Sequence, residues 1–306
     1  MRVLVIGAGA TGGLFGARLI QAGRDVTFLV RPNRAKALHE RGLRITGCGE
    51  DTVLAPKLLV TGEVRERFDI VLVTVKATGL DQAIEDFAPA VGPTTLVLPF
   101  LNGMRHLDTL DKRFGADRVL GGVARVLTTI DTNGDILRVG DMEGMAYGAR
   151  AGTAPVALDE LNETLSTAFP EALSKDIDGD MWAKWMFIAS LGAMTCLMRA
   201  TVGEIVAVPG GEQLATALID ECASIATAAG HPLSEQGLAN ARAMATQPGS
   251  PGVTSMQRDL LAGHPTEVEH LLGDLTVRAR QFEVAVPLLD LATMHLRVHE
   301  NRVASR

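Results

Sequence analysis

Cysteine is scarce in this sequence: Cys48, Cys196 and Cys222 are the only three in 306 residues, far apart and at no metal-ligand spacing. So sparse and odd a set argues against a disulfide framework and points to a reducing compartment. An excess of positive charge is also missing. The formal net charge of −7 provides no basic field for a nucleic acid or an anionic membrane, and neither is expected as a partner. No Gly/Ser tract, Pro-rich tract or internal repeat interrupts a composition that is 47% hydrophobic and 21% charged, the balance of an ordinary soluble globular protein. The longest uncharged apolar run, Trp185 to Met198 between Lys184 and Arg199, is too short to span a bilayer and reads as a buried helix. The chain opens on a strand with no basic leader ahead of it, so a cytoplasmic location is expected.

What is present divides the chain in two, and its length allows a core for each part. Residues 1–175 alternate short β-branched runs with helical patterns, as in a parallel sheet wrapped by helices. Strands are expected at Arg2–Ile6, Asp25–Val30, Asp69–Val75 and Thr94–Leu98. Segments near Arg118–Thr129, Ile136–Val139 and Gly144–Gly148 would extend that sheet, with turns at Asn133-Gly134 and Gly140-Asp141. Helices should cover Gly12–Ala22 and Gly79–Ala88. From about Asp178 apolar residues recur at helical spacing through Met181–Met198, Glu212–Ala229 and Glu267–Gln281. Breakers at Pro209–Gly211, Gly230–Pro232 and Pro248–Gly252 separate them. The expectation is an α/β N-terminal Rossmann-type dinucleotide-binding domain, 1–175, plus an all-α C-terminal domain, 176–306, that carries substrate and catalytic groups.

The first strand runs straight into Gly7-Ala8-Gly9-Ala10-Thr11-Gly12, and a helix begins there. In such a turn the first glycine makes the bend, the second lets the backbone approach a pyrophosphate, and the third lets helix pack on strand. The helix N-terminus then offers N–H groups to the anion. At the end of the second strand, where NAD and FAD sites usually carry Asp or Glu, stands Arg31 in Val30-Arg31-Pro32-Asn33-Arg34. An arginine there suits a 2′-phosphate, so NADP(H) is the expected cofactor and an FAD-dependent oxidase is disfavoured.

Three further segments suit reduction. A strand ends at Lys76, at the carboxyl edge where open α/β sheets bind ligands; the next ends in Pro99-Phe100-Leu101-Asn102-Gly103-Met104. Lys184 lies in an otherwise apolar helix, where Trp182, Trp185 and Phe187 would desolvate it and help it release a proton. Taken alone, a helix lysine is more often a snorkelling residue. Glu267 follows Thr266 at what looks like a helix start, with Thr266 as N-cap and Glu269 three residues on, so it reads either as a site carboxylate or as a first-turn charge. Ser255 reads equally as a capping or loop hydroxyl. His295 and His299, four apart on the last helix, have no third ligand, and no metal is expected.

In their order and separations, Gly7–Gly12, Val75-Lys76-Ala77, Leu101-Asn102-Gly103-Met104 and Trp182-Ala183-Lys184 resemble the ketopantoate reductase (2-dehydropantoate 2-reductase) family over nearly the whole chain. Thr195, Gly203-Glu204, Thr254-Ser255-Met256 and Glu267 fall at the family's spacing. The resemblance implies a helical domain like the C-terminal domain of 6-phosphogluconate dehydrogenase and an active site in a cleft between the domains. It makes Lys184 the general acid toward a small 2-oxo acid. It gives Asn102 to the substrate and the nicotinamide ribose, Lys76 and Glu267 to the cofactor, and Ser255 and Glu267 to closing the site. A homodimer is compatible with it.

The pattern is broken in one respect. Members that reduce ketopantoate typically carry asparagines four and eight residues after the lysine and again near the helix exit; here those positions are Ile188, Gly192 and Val202. A more apolar pocket follows, and with it a change in which 2-oxo acid fits. Arg199 either supplies a carboxylate contact that the amides no longer give or is an exposed arginine at a helix C-terminus. The rival readings are a paralogue acting on another 2-oxo or 3-oxo acid and an NADP(H)-binding sensor without chemistry.

Overall fold

The computed structural model describes residues 1–170 and 172–305, and the chain falls into two compact units. The first comprises Met1–Leu101 with His106–Asp178; the second comprises Gly179–Arg306 together with the short segment Asn102–Arg105.

In the first unit the β-branched runs form a five-stranded parallel sheet. Its strands are β1 (Arg2–Ile6), β2 (Asp25–Val30), β5 (Lys57–Val60), β6 (Phe68–Val73) and β7 (Val91–Pro99), in the order β5-β2-β1-β6-β7. The order reverses beside β1, and open α/β sheets bind ligands beyond the carboxyl ends of strands at such a switch point. Helices α1 (Ala10–Gln21), α2 (Pro32–Arg41), α3 (Leu80–Phe87) and α4 (Arg105–Phe114) follow β1, β2, β6 and β7 in turn.

A second sheet was not legible in the sequence. Strands β3 (Leu43–Gly47), β4 (Glu50–Leu54), β8 (Gly121–Ile130) and β9 (Ile136–Gly148) form it in the order β4-β3-β9-β8, so the later segments do not extend the parallel sheet. The expected turn at Gly140-Asp141 does not form either. Strand β9 runs through it unbroken, with Gly140 so close under Leu127 that an added Cβ would lie 2.7 Å from the leucine methyl. The other expected turn, at Asn133-Gly134, does form: it is the β8–β9 hairpin turn, where the Asp131 carboxylate accepts from the N–H groups of Asn133 and Asp135 and Gly134 has φ +84°.

Helix α1 is wedged between the two sheets because it has almost no side chains where they meet it. A Cβ at Gly13 would lie 2.4 Å from Ile136 of β9, and one at Gly16 would lie 2.2 Å from the Phe28 ring of β2. Its one cation, Arg18, reaches Glu50 at 2.7 Å and Glu143 at 2.5 Å, and Arg138 completes the cluster at 3.1 Å from Glu50. A short helix, α5 (Leu158–Leu165), closes this unit.

The second unit is helical: α6 (Ile177–Met198), α7 (Val202–Val206), α8 (Gly211–Ala228), α9 (Glu235–Ala245), α10 (Ser255–Leu261), α11 (Asp274–Gln281) and α12 (Pro287–Ala304). By length and composition α6 could cross a membrane, but 61% of its apolar window is buried inside the protein, as befits a core helix. The helix expected over Glu267–Gln281 is interrupted by a π-helical turn at Glu269–Gly273 before α11 begins. The 248–252 loop is pinned to α7, whose Val202 and Gly203 N–H groups donate to Gly252 and Ser250 carbonyls at 3.0 and 2.9 Å. Glu221 of α8 accepts from the Leu288 and Leu289 N–H groups and so caps α12.

The Arg18 guanidinium holds the Glu50 carboxyl down at about 2, below its ordinary 4.5. A depressed carboxyl stabilises the fold above its unfolded value and loses that contribution as pH falls from about 4.5 toward 2. Replacing Glu50→Gln should therefore cost about 2 kcal/mol at pH 7, because it leaves a partly buried arginine underpaired, and roughly half of that near pH 3, where the folded-state carboxyl is still mostly ionised. Urea unfolding at the two pH values checks this; equal losses at both would refute it.

Candidate active site

The glycine turn is built as its spacing requires. β1 ends at Ile6, Gly7 takes φ +92°, and the Gly7 N–H donates to the Leu29 carbonyl at 3.0 Å. Gly12 has no room for a side chain: a Cβ would lie 2.1 Å from the Thr74 hydroxyl and 2.4 Å from the Gly7 carbonyl. Thr74 donates to the Ile6 carbonyl at 2.8 Å and so ties the end of β6 to the turn. Gly9 is exposed, with nothing within 4 Å of its would-be Cβ, and the first turn of α1 carries neither a side-chain cap nor an acidic residue. An uncapped helix start above an open glycine fits a dinucleotide pyrophosphate.

The two arginines after β2 have different tasks. Arg34 turns inward, donating to the Ala8 carbonyl from Nε at 3.1 Å and Nη2 at 2.8 Å and to the Gly134 carbonyl from Nη1 at 2.7 Å, so it braces the turn. Arg31 is exposed, with Nη2 3.8 Å from where a Gly79 Cβ would be. Lys76, also exposed, precedes the 3₁₀ turn Ala77–Gly79. Arg31 and the turn after Lys76 thus share one edge of the sheet. Asp25, at the opposite end of β2, is held by Lys57 at 2.6 Å and is unavailable to a ribose.

In the second unit the expected residues gather around the π turn. The Glu267 carbonyl accepts from the His270 and Leu271 N–H groups at 3.1 and 3.0 Å. The π turn leaves the Leu271 carbonyl to accept from the Trp185 indole at 3.0 Å, tying it to the helix of Lys184. The His270 ring is hydrogen-bonded to the Asn102 backbone. Gly103, at φ +77°, passes so close that a Cβ would lie 2.8 Å from the His270 carbonyl. Burial holds His270 below its ordinary value, with the Glu267 charge and the Asn102 bond acting the other way. Asn102, Glu267 and the Lys184 helix are thereby each attached to one turn.

The capping box expected at Thr266 is absent. The Thr266 hydroxyl donates to Glu300 at 2.7 Å, and Glu269 is paired with Arg297 at 2.6 and 2.8 Å. Lys184 itself is half-buried. The indoles of Trp182 and Trp185, expected to desolvate it, receive the Arg278 guanidinium at 5.8 and 5.4 Å. Ser255 is the exposed first residue of α10; the cap is Thr254, which accepts from the Gln257 N–H at 3.2 Å. Glu204 forms a capping box with Thr201. Arg199 is not brought to Lys184: fifteen residues at the helical rise put it roughly 22 Å further along the axis, exposed and at φ +52°, where its charge acts on His295.

Thr74 carries no signal in the sequence. Arg34 lies in the basic run after β2, Met256 in the Thr254-Ser255-Met256 segment and His270 beside Glu267, but the sequence does not show that Arg34 braces the turn, that Met256 covers Gly192 or that His270 holds Asn102.

Residues 3–152 match the family described as ketopantoate reductase PanE/ApbA, and residues 176–300 match its C-terminal family, ketopantoate reductase PanE/ApbA C terminal. The chain is 34% identical over 305 residues to the uncharacterized oxidoreductase YkpB of Bacillus subtilis, covering 98% of this chain and 99% of that one. It is 24% identical over 300 residues to the 2-dehydropantoate 2-reductase of Lactococcus lactis, covering 96% of each. Among solved structures, a PanE/ApbA family ketopantoate reductase from Ralstonia eutropha superposes with a TM-score of 0.88 at 25% identity, covering 99% of this chain and all of that one. Fold and turn together thus define an oxidoreductase of the dinucleotide-binding class. The chain belongs to the ketopantoate reductase family.

Two glycines separate fit from binding. Gly9→Ala, at φ −85° with open space around it, should leave thermal stability unchanged and weaken dinucleotide binding roughly tenfold. Gly103→Ala meets both a positive φ and the His270 carbonyl and should cost about 2 kcal/mol. Melting curves together with a fluorescence titration of NADPH distinguish the two; a Gly103→Ala melting curve superposable on wild type would contradict the second.

Proposed function

We propose that the protein reduces a small 2-oxo acid to the 2-hydroxy acid at the expense of NADPH, with 2-dehydropantoate, giving pantoate, as the default substrate of the family. The observation that carries this reading is the convergence on one π turn: the Glu267 carbonyl just before it accepts from two of its N–H groups, its His270 holds Asn102, and its Leu271 carbonyl binds the helix of Lys184. Nothing in packing requires an amide-bearing segment to be held beside a carboxylate and a lysine helix.

In this reading the Gly7–Gly12 turn and the start of α1 take the pyrophosphate, and Arg31 takes the 2′-phosphate with Lys76 nearby. Bound NADPH supplies the hydride that forms the new C–H bond at C2. As the carbonyl π bond breaks, Lys184 transfers a proton to the oxygen and stabilises the developing negative charge; it is reprotonated afterwards from water. Asn102 orients the substrate and the nicotinamide ribose. Ser255 and Glu267 complete the polar surround, with Glu267 also near the cofactor. Membership of the ketopantoate reductase family and the 34% identity to an oxidoreductase support a redox role.

NADPH oxidation at 340 nm tests the reading. Lys184→Ala should lower kcat by about 10²–10⁴ with cofactor binding retained. Arg31→Ala should raise the KM for NADPH about tenfold or more while leaving NADH almost unaffected. Equal losses with both cofactors would remove Arg31 from the 2′-phosphate, and undiminished turnover in Lys184→Ala would remove the lysine from the chemistry.

A further inference from the structure

On the face of α6 that carries Lys184, the positions one and two turns on are Ile188 and Gly192. Ile188 is half-buried. At Gly192 the space of a side chain is already taken, because the terminal methyl of Met256 lies 2.6 Å from where a Cβ would stand. Further along, the Thr195 hydroxyl is turned back onto the helix, donating to the Leu191 carbonyl at 2.8 Å and lying 3.4 Å from the Thr254 hydroxyl. Val202, 1% exposed, is covered by Gly252 and bonded to it through its own N–H. Gly192, Thr195, Val202 and Met256 are themselves buried, so beyond Lys184 the side chain on this line within reach of a ligand is the hydrocarbon of Ile188.

A ligand hydroxyl laid beside Ile188 would give up water and gain no partner there, whereas an alkyl or aryl group would gain contact with Ile188; one turn further on the buried Met256 fills the space over Gly192. The carboxylate and carbonyl of a 2-oxo acid still have Lys184, Asn102 and Ser255. We infer that the substrate is a 2-oxo acid whose side chain is a branched hydrocarbon or an aryl ring without a hydroxyl, selected by Ile188 and by Met256 over Gly192. The inference rests on the reductase reading with Lys184 as proton donor.

A matched pair of acids tests it with the full-length chain and NADPH. 2-Dehydropantoate and 3,3-dimethyl-2-oxobutanoate share one carbon skeleton and differ by the terminal hydroxyl alone. The hydroxyl-free acid should show a kcat/KM higher by roughly tenfold or more, and phenylglyoxylate should also be reduced. Ile188→Asn should shrink or reverse the ratio of the pair through KM. A wild-type preference for 2-dehydropantoate, or an unchanged ratio in folded Ile188→Asn, overturns the inference and leaves the reductase reading intact. No oxidation of NADPH with any of the three acids, in protein shown to bind NADPH, overturns both. The wild-type ratio decides without any variant.

Discussion

The first unit depends on one close approach, the packing of α1 against a strand on either side without intervening side chains. Gly13 and Gly16 admit Ile136 and Phe28 where any Cβ would collide, and Gly12 admits Thr74. A glycine inside a helix costs roughly 1 kcal/mol relative to alanine, and the interlocking contacts offset it. The start of the same helix is uncapped beside the open Gly9, so close packing and a bare helix terminus lie within one glycine-rich segment.

A comparable economy operates in the helical unit. The π turn at Glu269–Gly273 departs from regular hydrogen bonding, and the groups it displaces are put to use. Its Leu271 carbonyl accepts the Trp185 indole, and the His270 ring reaches the Asn102 backbone. Asn102 is placed by a residue far away in the chain, and Gly103 lets the two backbones meet. Charge is arranged with similar care: Arg278 over the two indoles is also paired with Asp274, and Arg297 holds Glu269. The carboxylate nearest the His270 ring in sequence is thus committed to a partner, and the charges that act on that ring are those of Glu267 first and Asp274 after it.

Strands with near-continuous apolar runs were legible because burial on both faces leaves a strong local pattern; β1 and β2 fall where the sequence put them. Strands β3 and β4 were not, since they are short and half-exposed, with one charged residue in β3 and two adjacent ones in β4, and such strands carry a weaker signal. The turn expected at Gly140-Asp141 failed for a related reason: a glycine that local grammar reads as a break serves here to let Leu127 lie across the strand. Thr266 likewise has the spacing of a capping box, but Glu300 captures its hydroxyl from another helix.

From the sequence alone came the glycine turn and the change from a sheet period to a helical one near Asp178; Lys184, Asn102, Ser255 and Glu267 were singled out by the spacing they share with a family. Each is carried by residues adjacent in the chain or at a fixed spacing, and backbone geometry at a positive φ or along a helix face follows from such neighbours directly. Tertiary structure decided that Arg34 braces the turn while Arg31 stays exposed, although both sit in one basic run. It decided that His270 holds Asn102, that Met256 fills the space above Gly192, and that Arg199 stands away from Lys184. Those outcomes depend on which distant side chain arrives first at a carbonyl or a void, and no local pattern encodes that competition.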